Sequence, residues 1–115
     1  MNIEFLIWCI NKNEFETDKC VITCDGRIID IRRGLALNPN THKKLLYTGL
    51  RDKNGKKIYS GFLVKYKNFF SEKEETIKPV TFKDGIFYAG YQLKDVNSIC
   101  EIVGNIYQNN RLNLN

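Results

Sequence analysis

The chain has 115 residues, of which 43% are apolar and 12% aromatic, so it has enough material for the core of one small domain. This length excludes a (β/α)8-barrel enzyme and a doubly wound nucleotide-binding fold. A net charge of +5 predicts a mildly basic protein. The sequence has no apolar run of about 18 residues and no cationic leader, so we expect no membrane span and no signal peptide.

The four cysteines indicate free thiols in a reducing compartment. Cys9, Cys20, Cys24 and Cys100 include no Cys-x-x-Cys pair, and the only histidine, His42, lies far from all of them along the chain. Cys20 and Cys24 share one predicted strand, which separates their Cα atoms by roughly 13 Å, well beyond the roughly 7 Å that a disulfide spans. We therefore expect a cytoplasmic protein with no metal ligand set and no cofactor.

The N-terminal part of the chain predicts one strand followed by a hairpin. Residues 3–10 form an apolar, strand-like run that a polar cluster ends. A hairpin is predicted over residues 20–31, because the Asp-Gly pair at 25–26 is the signal of a two-residue turn in which both residues take positive φ. With that turn, Thr23 faces Ile28.

The rest of the chain predicts further short strands separated by turns. In chain order the predicted elements are a connection at 34–44, a strand at 45–49, an Asn-Gly turn at 54–55, a strand at 58–66, a charged loop at 71–75, a hairpin at 77–91 with an Asp-Gly turn, and a last strand at 99–107. Helix is expected only in short pieces, around residues 92–98 or in the tail at 108–115.

Short strands with a turn about every ten residues are typical of a small barrel or a curled antiparallel sheet. We predict a mainly β protein with little helix, in which an SH3-like barrel covers residues 45–107 and the N-terminal strand and hairpin pack on it. The chain then divides, within one compact domain, into an N-terminal part at 1–44 and a barrel unit with its tail at 45–115. Exposed strand edges favour a homo-oligomer.

Three blocks of the sequence resemble the YopX family. The central block is LYTGLRDKNGKKIYSG at residues 46–61, followed by LVK at 63–65. The others are IEFLIW at 3–8 and EIVGNIYQN at 101–109, so the resemblance spans the chain from end to end.

The resemblance implies a small β-barrel and brings no cofactor or catalytic residue with it. YopX proteins are small proteins of phages and prophages, mostly of Gram-positive bacteria, so we expect an accessory protein in the cytoplasm of a bacterial host. Phe62 stands where the family usually has an acidic residue, and Cys9 follows Trp8 where the family has a Trp-Asp pair. A ligand contact made by that acidic residue in relatives is therefore not expected here.

The net charge is concentrated in residues 42–57, which carry six Lys or Arg and one Asp and so account for the whole +5. Tyrosines interleaved with cations are typical of sites that stack on bases and neutralise phosphates. The candidate ligand-binding residues are Tyr47, Arg51, Lys53, Lys56, Lys57, Tyr59 and Lys65. The alternative is a solvated basic loop that protects a strand edge, with the tyrosines in the core or at the edge.

Two functions remain open from the sequence. A lone histidine, with no nucleophile elbow, phosphate loop or paired metal carboxylates, argues against an enzyme. The first function is a counter-defence binding protein that sequesters an anionic nucleotide or a nucleic acid. The second is a protein–protein inhibitor or adaptor, which binds a host or phage protein through a sheet edge or an apolar patch containing Phe62, Phe69 and Phe70.

Overall fold

A computed structural model describes residues 4–68 and 71–108, which form short strands, one 3-10 helix at Thr17–Lys19 and one α-helix, α1, at Leu93–Val96. The strands are β1 (Phe5–Cys9), β2 (Glu14–Phe15), β3 (Cys20–Ile22), β4 (Ile28–Asp30), β5 (Leu35–Ala36), β6 (His42–Arg51), β7 (Lys57–Tyr59), β8 (Phe62–Asn68), β9 (Ser71–Pro79), β10 (Thr81–Lys83), β11 (Ile86–Ala89), β12 (Tyr91–Gln92) and β13 (Glu101–Asn105). In the part of the chain so described, no helix has the length and apolar character needed to cross a membrane.

Every strand pairing in the described residues is antiparallel, and the strands form four small sheets. Their strand orders are β2-β1-β6-β7, β13-β8-β9, β3-β4-β5 and β10-β11-β12. The architecture is one curled half-barrel sheet accompanied by other small sheets. The prediction of a mainly β protein with a small barrel-like unit and little helix is confirmed.

The N-terminal strand lies between two hydrophobic cores. β1 pairs with β6, so that Phe5 faces Leu46 and Cys9 faces His42. Successive side chains of a strand point to opposite faces. Accordingly, Ile7 packs in a small cluster with the β3–β4 hairpin, whereas Trp8 packs in the main core.

The main core joins the β6–β7–β8 region to the short helix. Leu45, Ile58 and Val64 are fully buried there. Leu93 and Val96 of α1 are also fully buried, because residues three apart lie on one face of a helix. The helix predicted around residues 92–98 is therefore confirmed.

The first hairpin differs in register from the prediction. Ile22 pairs with Ile28, and the N–H of Thr23 donates to the carbonyl of Arg27 at 2.9 Å, which leaves a three-residue loop. Among the loop residues only Gly26 has a positive φ, 87°. A three-residue loop needs one left-handed residue after a type I turn, whereas a two-residue type I′ turn needs two. The predicted pairing of Thr23 with Ile28 is therefore wrong by one residue.

The second Asp-Gly hairpin has the predicted turn. Asp84 and Gly85 both have positive φ, 53° and 82°, as a two-residue type I′ turn requires. Phe82 and Phe87 face each other across β10 and β11, with ring centroids 4.7 Å apart. The two rings therefore form an aromatic contact across the hairpin.

Three other predictions are corrected by long-range pairing. The predicted strand at 58–66 is two strands separated by Gly61, which has a φ of 84°. The predicted charged loop at 71–75 belongs to β9, because pairing with β8 outweighs its polar composition. The predicted connection at 34–44 contains β5 and the start of β6. The helix considered for the tail lies outside the described residues beyond 108.

Asp52 organises the turn between β6 and β7. Its side chain is buried, and its Oδ1 accepts hydrogen bonds from the N–H groups of Asn54 and Lys56, both at 2.9 Å. Its Oδ2 accepts a third from the N–H of Ile102 in β13, at 3.1 Å. One carboxylate therefore shapes the turn and ties it to the last strand.

We expect Asp52→Asn to lower the free energy of unfolding by about 1–3 kcal/mol, because an amide replaces at least one charge-assisted acceptor beside buried N–H donors. Urea denaturation measures this loss. The matched control is Asp25→Asn in the exposed turn of the first hairpin, where we expect a much smaller loss because solvent screens the exposed pair with Arg27. Equal losses in the two variants would contradict a structural role specific to Asp52.

Candidate functional site

The structure distributes the seven predicted ligand-binding residues over three places. They lie on the β6–β7 strand pair (Tyr47, Arg51, Lys57, Tyr59), in its turn (Lys53, Lys56) and on β8 (Lys65). Tyr47 and Tyr59 face each other directly, as do Arg51 and Lys57.

Glu4 draws part of this group together. The Nζ of Lys57 donates to Oε2 of Glu4 at 2.5 Å, and the hydroxyl of Tyr59 donates to the same oxygen at 3.4 Å. Lys57 Nζ lies 5.3 Å from the ring centroid of Tyr47. The hydrogen bond from Lys57 lowers the pKa of Glu4, and the same bond raises the pKa of Lys57. A carboxylate of the chain itself therefore neutralises the cation nearest the two tyrosines.

Other predicted cations also interact within the chain. Lys53 Nζ lies 3.8 Å from Oε2 of Glu101, and Lys65 Nζ lies 3.6 Å from Oε2 of Glu75. Arg51 donates to a turn carbonyl at 2.8 Å. The structure brings Tyr47, Tyr59, Lys57 and Arg51 together, and it leaves Lys53, Lys56 and Lys65 outside that group.

A cleft of about 620 Å³ lies beside the first hairpin and the start of β6. Its cationic lining residues are Arg27, Lys43 and Lys44, and its apolar lining includes Ile28, Leu37 and Tyr107. Two of these cations belong to the basic segment 42–57 identified in the sequence. Arg27 and Tyr107 were missed, because nothing local in the sequence connects them to that segment.

The cleft carries more positive than negative charge. Among the described residues that line the cleft, Asp25 is the one carboxylate, and it pairs with Arg27 at 3.0 Å. Lys44 Nζ donates to the carbonyl of Gly26 at 2.7 Å. Among the described residues, Lys43 has no ion-pair partner. In the described part of the lining, three cations against one carboxylate give a charge of +2 when His42 is neutral.

Cys9, Glu16 and His42 form a cluster of potential metal ligands. One ligand atom from each lies within 4.8 Å of the others, and the Nε2 of His42 is 3.2 Å from Oε1 of Glu16. Burial alone raises the pKa of Glu16, but hydrogen bonds from Cys9 and His42 and the charges of Lys12 and Lys19 outweigh it, so the pKa is lowered. Distance along the chain suggested no metal ligand set, but the β1–β6 pairing places Cys9 opposite His42.

A family comparison agrees with the resemblance seen in the sequence blocks. The family model described as YopX protein matches residues 10–113. The chain belongs to the YopX family. No protein with a curated description matches this YopX chain.

The YopX chain is also similar to a solved structure, the crystal structure of protein EF1440 from Enterococcus faecalis. The TM-score is 0.65 over 95% of this chain and 96% of that one, with 18% sequence identity. At this identity the likeness shows the fold alone.

The contact between Glu4 and Lys57 predicts a pH-dependent contribution to stability. A carboxyl whose pKa is lowered by folding stabilises the fold above its ordinary pKa, about 4.3, and loses that effect as the pH falls through the lowered value. We therefore expect the stability difference between the unmodified chain and Glu4→Gln to be present at neutral pH and to shrink in acid. Urea unfolding of both chains over a pH series measures it, and a difference independent of pH would refute the contact.

The four cysteines are free thiols in this structure, and they differ in exposure. Cys24 is exposed, whereas Cys9, Cys20 and Cys100 are buried. Burial raises the pKa of Cys100 to about 11 and also raises that of Cys20. At about pH 8 we expect one thiol per native chain to react quickly with a disulfide reagent, because the thiolate is the nucleophile. The Cys24→Ser variant should show no fast phase, and a fast phase that persists there would contradict this assignment.

Proposed function

We propose that this chain is a non-enzymatic, phage- or prophage-encoded accessory protein that sequesters an anionic nucleotide as a counter-defence protein. Membership of the YopX family supports a small accessory protein. The nucleotide is the ligand class that the charge and lining of the 620 Å³ cleft favour.

The observation that carries the proposal is the combination of size and lining in this cleft. Ligand pockets commonly measure about 300–1,000 Å³ and combine an apolar wall with a few polar groups. Ile28, Leu37 and Tyr107 supply apolar and aromatic surface for a base, while Lys43 and Lys44 supply positive charge for a phosphate. Lys43 keeps its charge uncompensated among the described residues, so an anionic ligand displaces no carboxylate from it.

The cleft is a better candidate for the nucleotide site than the predicted group of Tyr47, Tyr59 and Lys57. There, Glu4 already hydrogen-bonds to Lys57 and Tyr59, so an anionic ligand would have to displace a carboxylate of the chain. We retain Tyr47, Arg51, Lys53, Lys56, Lys57, Tyr59 and Lys65 as the competing assignment of the same function. We also propose a homo-oligomer, because short sheets leave strand edges that a second copy can pair with.

Charge reversal separates the two assignments. A thermal-shift panel of mono-, di- and cyclic nucleotides first identifies a nucleotide that raises the melting temperature of the full chain. We then expect Lys43→Glu with Lys44→Glu to weaken that binding at least about tenfold in calorimetry, because interactions with charged groups are worth about 1.5–3 kcal/mol each. The control, Lys53→Glu with Lys56→Glu, should bind normally.

Three other results would change the site, the function or the ligand that we propose. Loss of binding only in the control pair would transfer the site to the predicted residues. No shift across the panel would refute nucleotide sequestration. Binding of a single-stranded nucleic acid that weakens steeply with salt would identify an extended nucleic acid as the ligand, because neutralising several phosphates releases counterions.

An exposed apolar cleft supports a second candidate function, that of an inhibitor or adaptor of a host or phage protein. The cleft measures about 380 Å³ and includes Leu46, Tyr47, Phe82 and Phe87, with Phe82 59% exposed and Leu46 42% exposed. The apolar patch predicted around Phe62 is corrected, because Phe62 is only 9% exposed and packs in the main core. The other members of that predicted patch, at 69–70, lie outside the described residues.

The adaptor function makes a different prediction. A stoichiometric partner recovered from infected host lysate should bind the Lys43→Glu, Lys44→Glu chain normally and should be lost with Phe82→Ser. Loss with both variants would contradict an apolar docking surface.

A further inference from the structure

We propose that Cys9, Glu16 and His42 form a binding site for Zn²⁺. Their thiol, carboxylate and imidazole offer ligand atoms that all lie within 4.8 Å of one another. Sulfur, nitrogen and oxygen donors of these types together are the ligand set that zinc accepts in proteins. The inference does not depend on nucleotide binding.

Main-chain hydrogen bonds hold the three ligands in place. Cys9 and His42 are opposed in the β1–β6 ladder, and the N–H of Ile10 donates to the carbonyl of Thr41 at 2.8 Å. The N–H of Glu16 donates to the carbonyl of Ile7, also at 2.8 Å. The backbone near each of the three ligands is therefore hydrogen-bonded to β1 or β6, which fixes the ligands relative to one another as a preorganised site requires.

Thr41 contacts the Nδ1 nitrogen of the His42 ring, while Nε2 contacts Glu16. The hydroxyl of Thr41 donates to the carbonyl of Asn38 at 3.1 Å, and its Oγ1 lies 2.9 Å from Nδ1 of His42. A hydroxyl has one proton to donate, so toward the ring it accepts a hydrogen bond from Nδ1–H. In a neutral ring that carries its proton on Nδ1, the lone pair of Nε2 is available to a metal ion, in the arrangement that metal-binding histidines use.

The contact between His42 and Glu16 has a suitable length for a shared metal ion. Nε2 of His42 and Oε1 of Glu16 lie at hydrogen-bond distance, 3.2 Å. A zinc ion bound to both atoms takes the place of the proton between them. The separation also fits zinc, because a nitrogen and an oxygen each about 2.05 Å from a tetrahedral zinc lie about 3.3 Å apart. The Cys9 sulfur lies within 4.8 Å of both atoms. A tetrahedral zinc holds a sulfur about 3.6 Å from its nitrogen and oxygen ligands, so a small inward movement of the thiol completes the set.

The charge and proton balance of binding is simple. The Cys9 thiol loses its proton to the solvent as the sulfur–zinc bond forms, and the thiolate and the Glu16 carboxylate together neutralise the two charges of the ion. Three protein ligands leave the fourth tetrahedral position open to a water molecule or another ligand. Binding is therefore expected to weaken as the pH falls.

The competing arrangement is an ion-pair cluster without metal. In it a doubly protonated His42 donates to Glu16, whose Oε2 also lies 3.6 Å from Lys12 Nζ and 3.5 Å from Lys19 Nζ. Cys9 then contributes only a hydrogen bond to the carboxylate. Such a cluster has no need of zinc, so metal titration separates the two arrangements.

The experiment uses the chelator-treated full chain carrying Cys24→Ser, which removes the exposed thiol. Cobalt(II) serves as the spectroscopic probe. We expect one equivalent to produce a thiolate-to-cobalt charge-transfer band, which one equivalent of Zn²⁺ abolishes. The band should disappear with Cys9→Ser and remain with the matched control Cys20→Ser, another buried thiol.

Two further variants test the geometry. We expect His42→Gln to weaken zinc binding at least about tenfold, and Thr41→Val, which removes the partner of Nδ1, to weaken it about 10–100-fold. Zinc should also raise the melting temperature of the chain with its native Cys9, a readout independent of whether the variants fold. No cobalt band, a band unchanged by Cys9→Ser, or no zinc-dependent thermal shift would overturn the site.

Discussion

The pairing of β1 with β6 is the constraint on which the rest of this structure depends. It joins two segments more than thirty residues apart, and it places β1 between the main core and the small cluster under the first hairpin. Because the side chains of β1 alternate between those two cores, a shift of one residue would exchange Ile7 and Trp8 and disrupt both. The register is therefore strongly specified, and it fixes the positions of the polar side chains on β1 and β6 relative to one another.

Charge compensation within the chain governs where function can lie. The basic segment is conspicuous in the sequence, but Lys57 and Lys53 each lie near a carboxylate from a distant part of the chain. Lys65, outside that segment, lies near Glu75 of the neighbouring strand. A cation that is already paired offers less to an external anion than one that is not. For this reason, the cleft beside Lys43 is a better candidate for anion binding than the group formed by Tyr47, Tyr59 and Lys57.

Two buried carboxylates illustrate different uses of the same group. Asp52 accepts hydrogen bonds from three backbone N–H groups, so its charge shapes a turn and joins that turn to β13. Glu16 instead contacts side chains that are themselves ionisable, namely His42, Lys12 and Lys19. The carboxylate of Asp52 already accepts hydrogen bonds through both oxygens. Glu16 lies beside Cys9 and His42, whose side chains are metal-ligand types.

Local chemistry in the sequence determined the mainly β class, the type I′ turn at Asp84 and Gly85, and the short helix near residues 92–98. Those features depend on the conformational preferences of neighbouring residues, so each can be predicted from its own segment of the sequence. The family could also be recognised from three blocks of the sequence. The tertiary structure decided the rest. The charged run at 71–75 is part of a strand because β9 pairs with β8. Cys9 lies opposite His42 because β1 pairs with β6. Such contacts depend on which distant strands pair, and no local pattern in this chain specifies that.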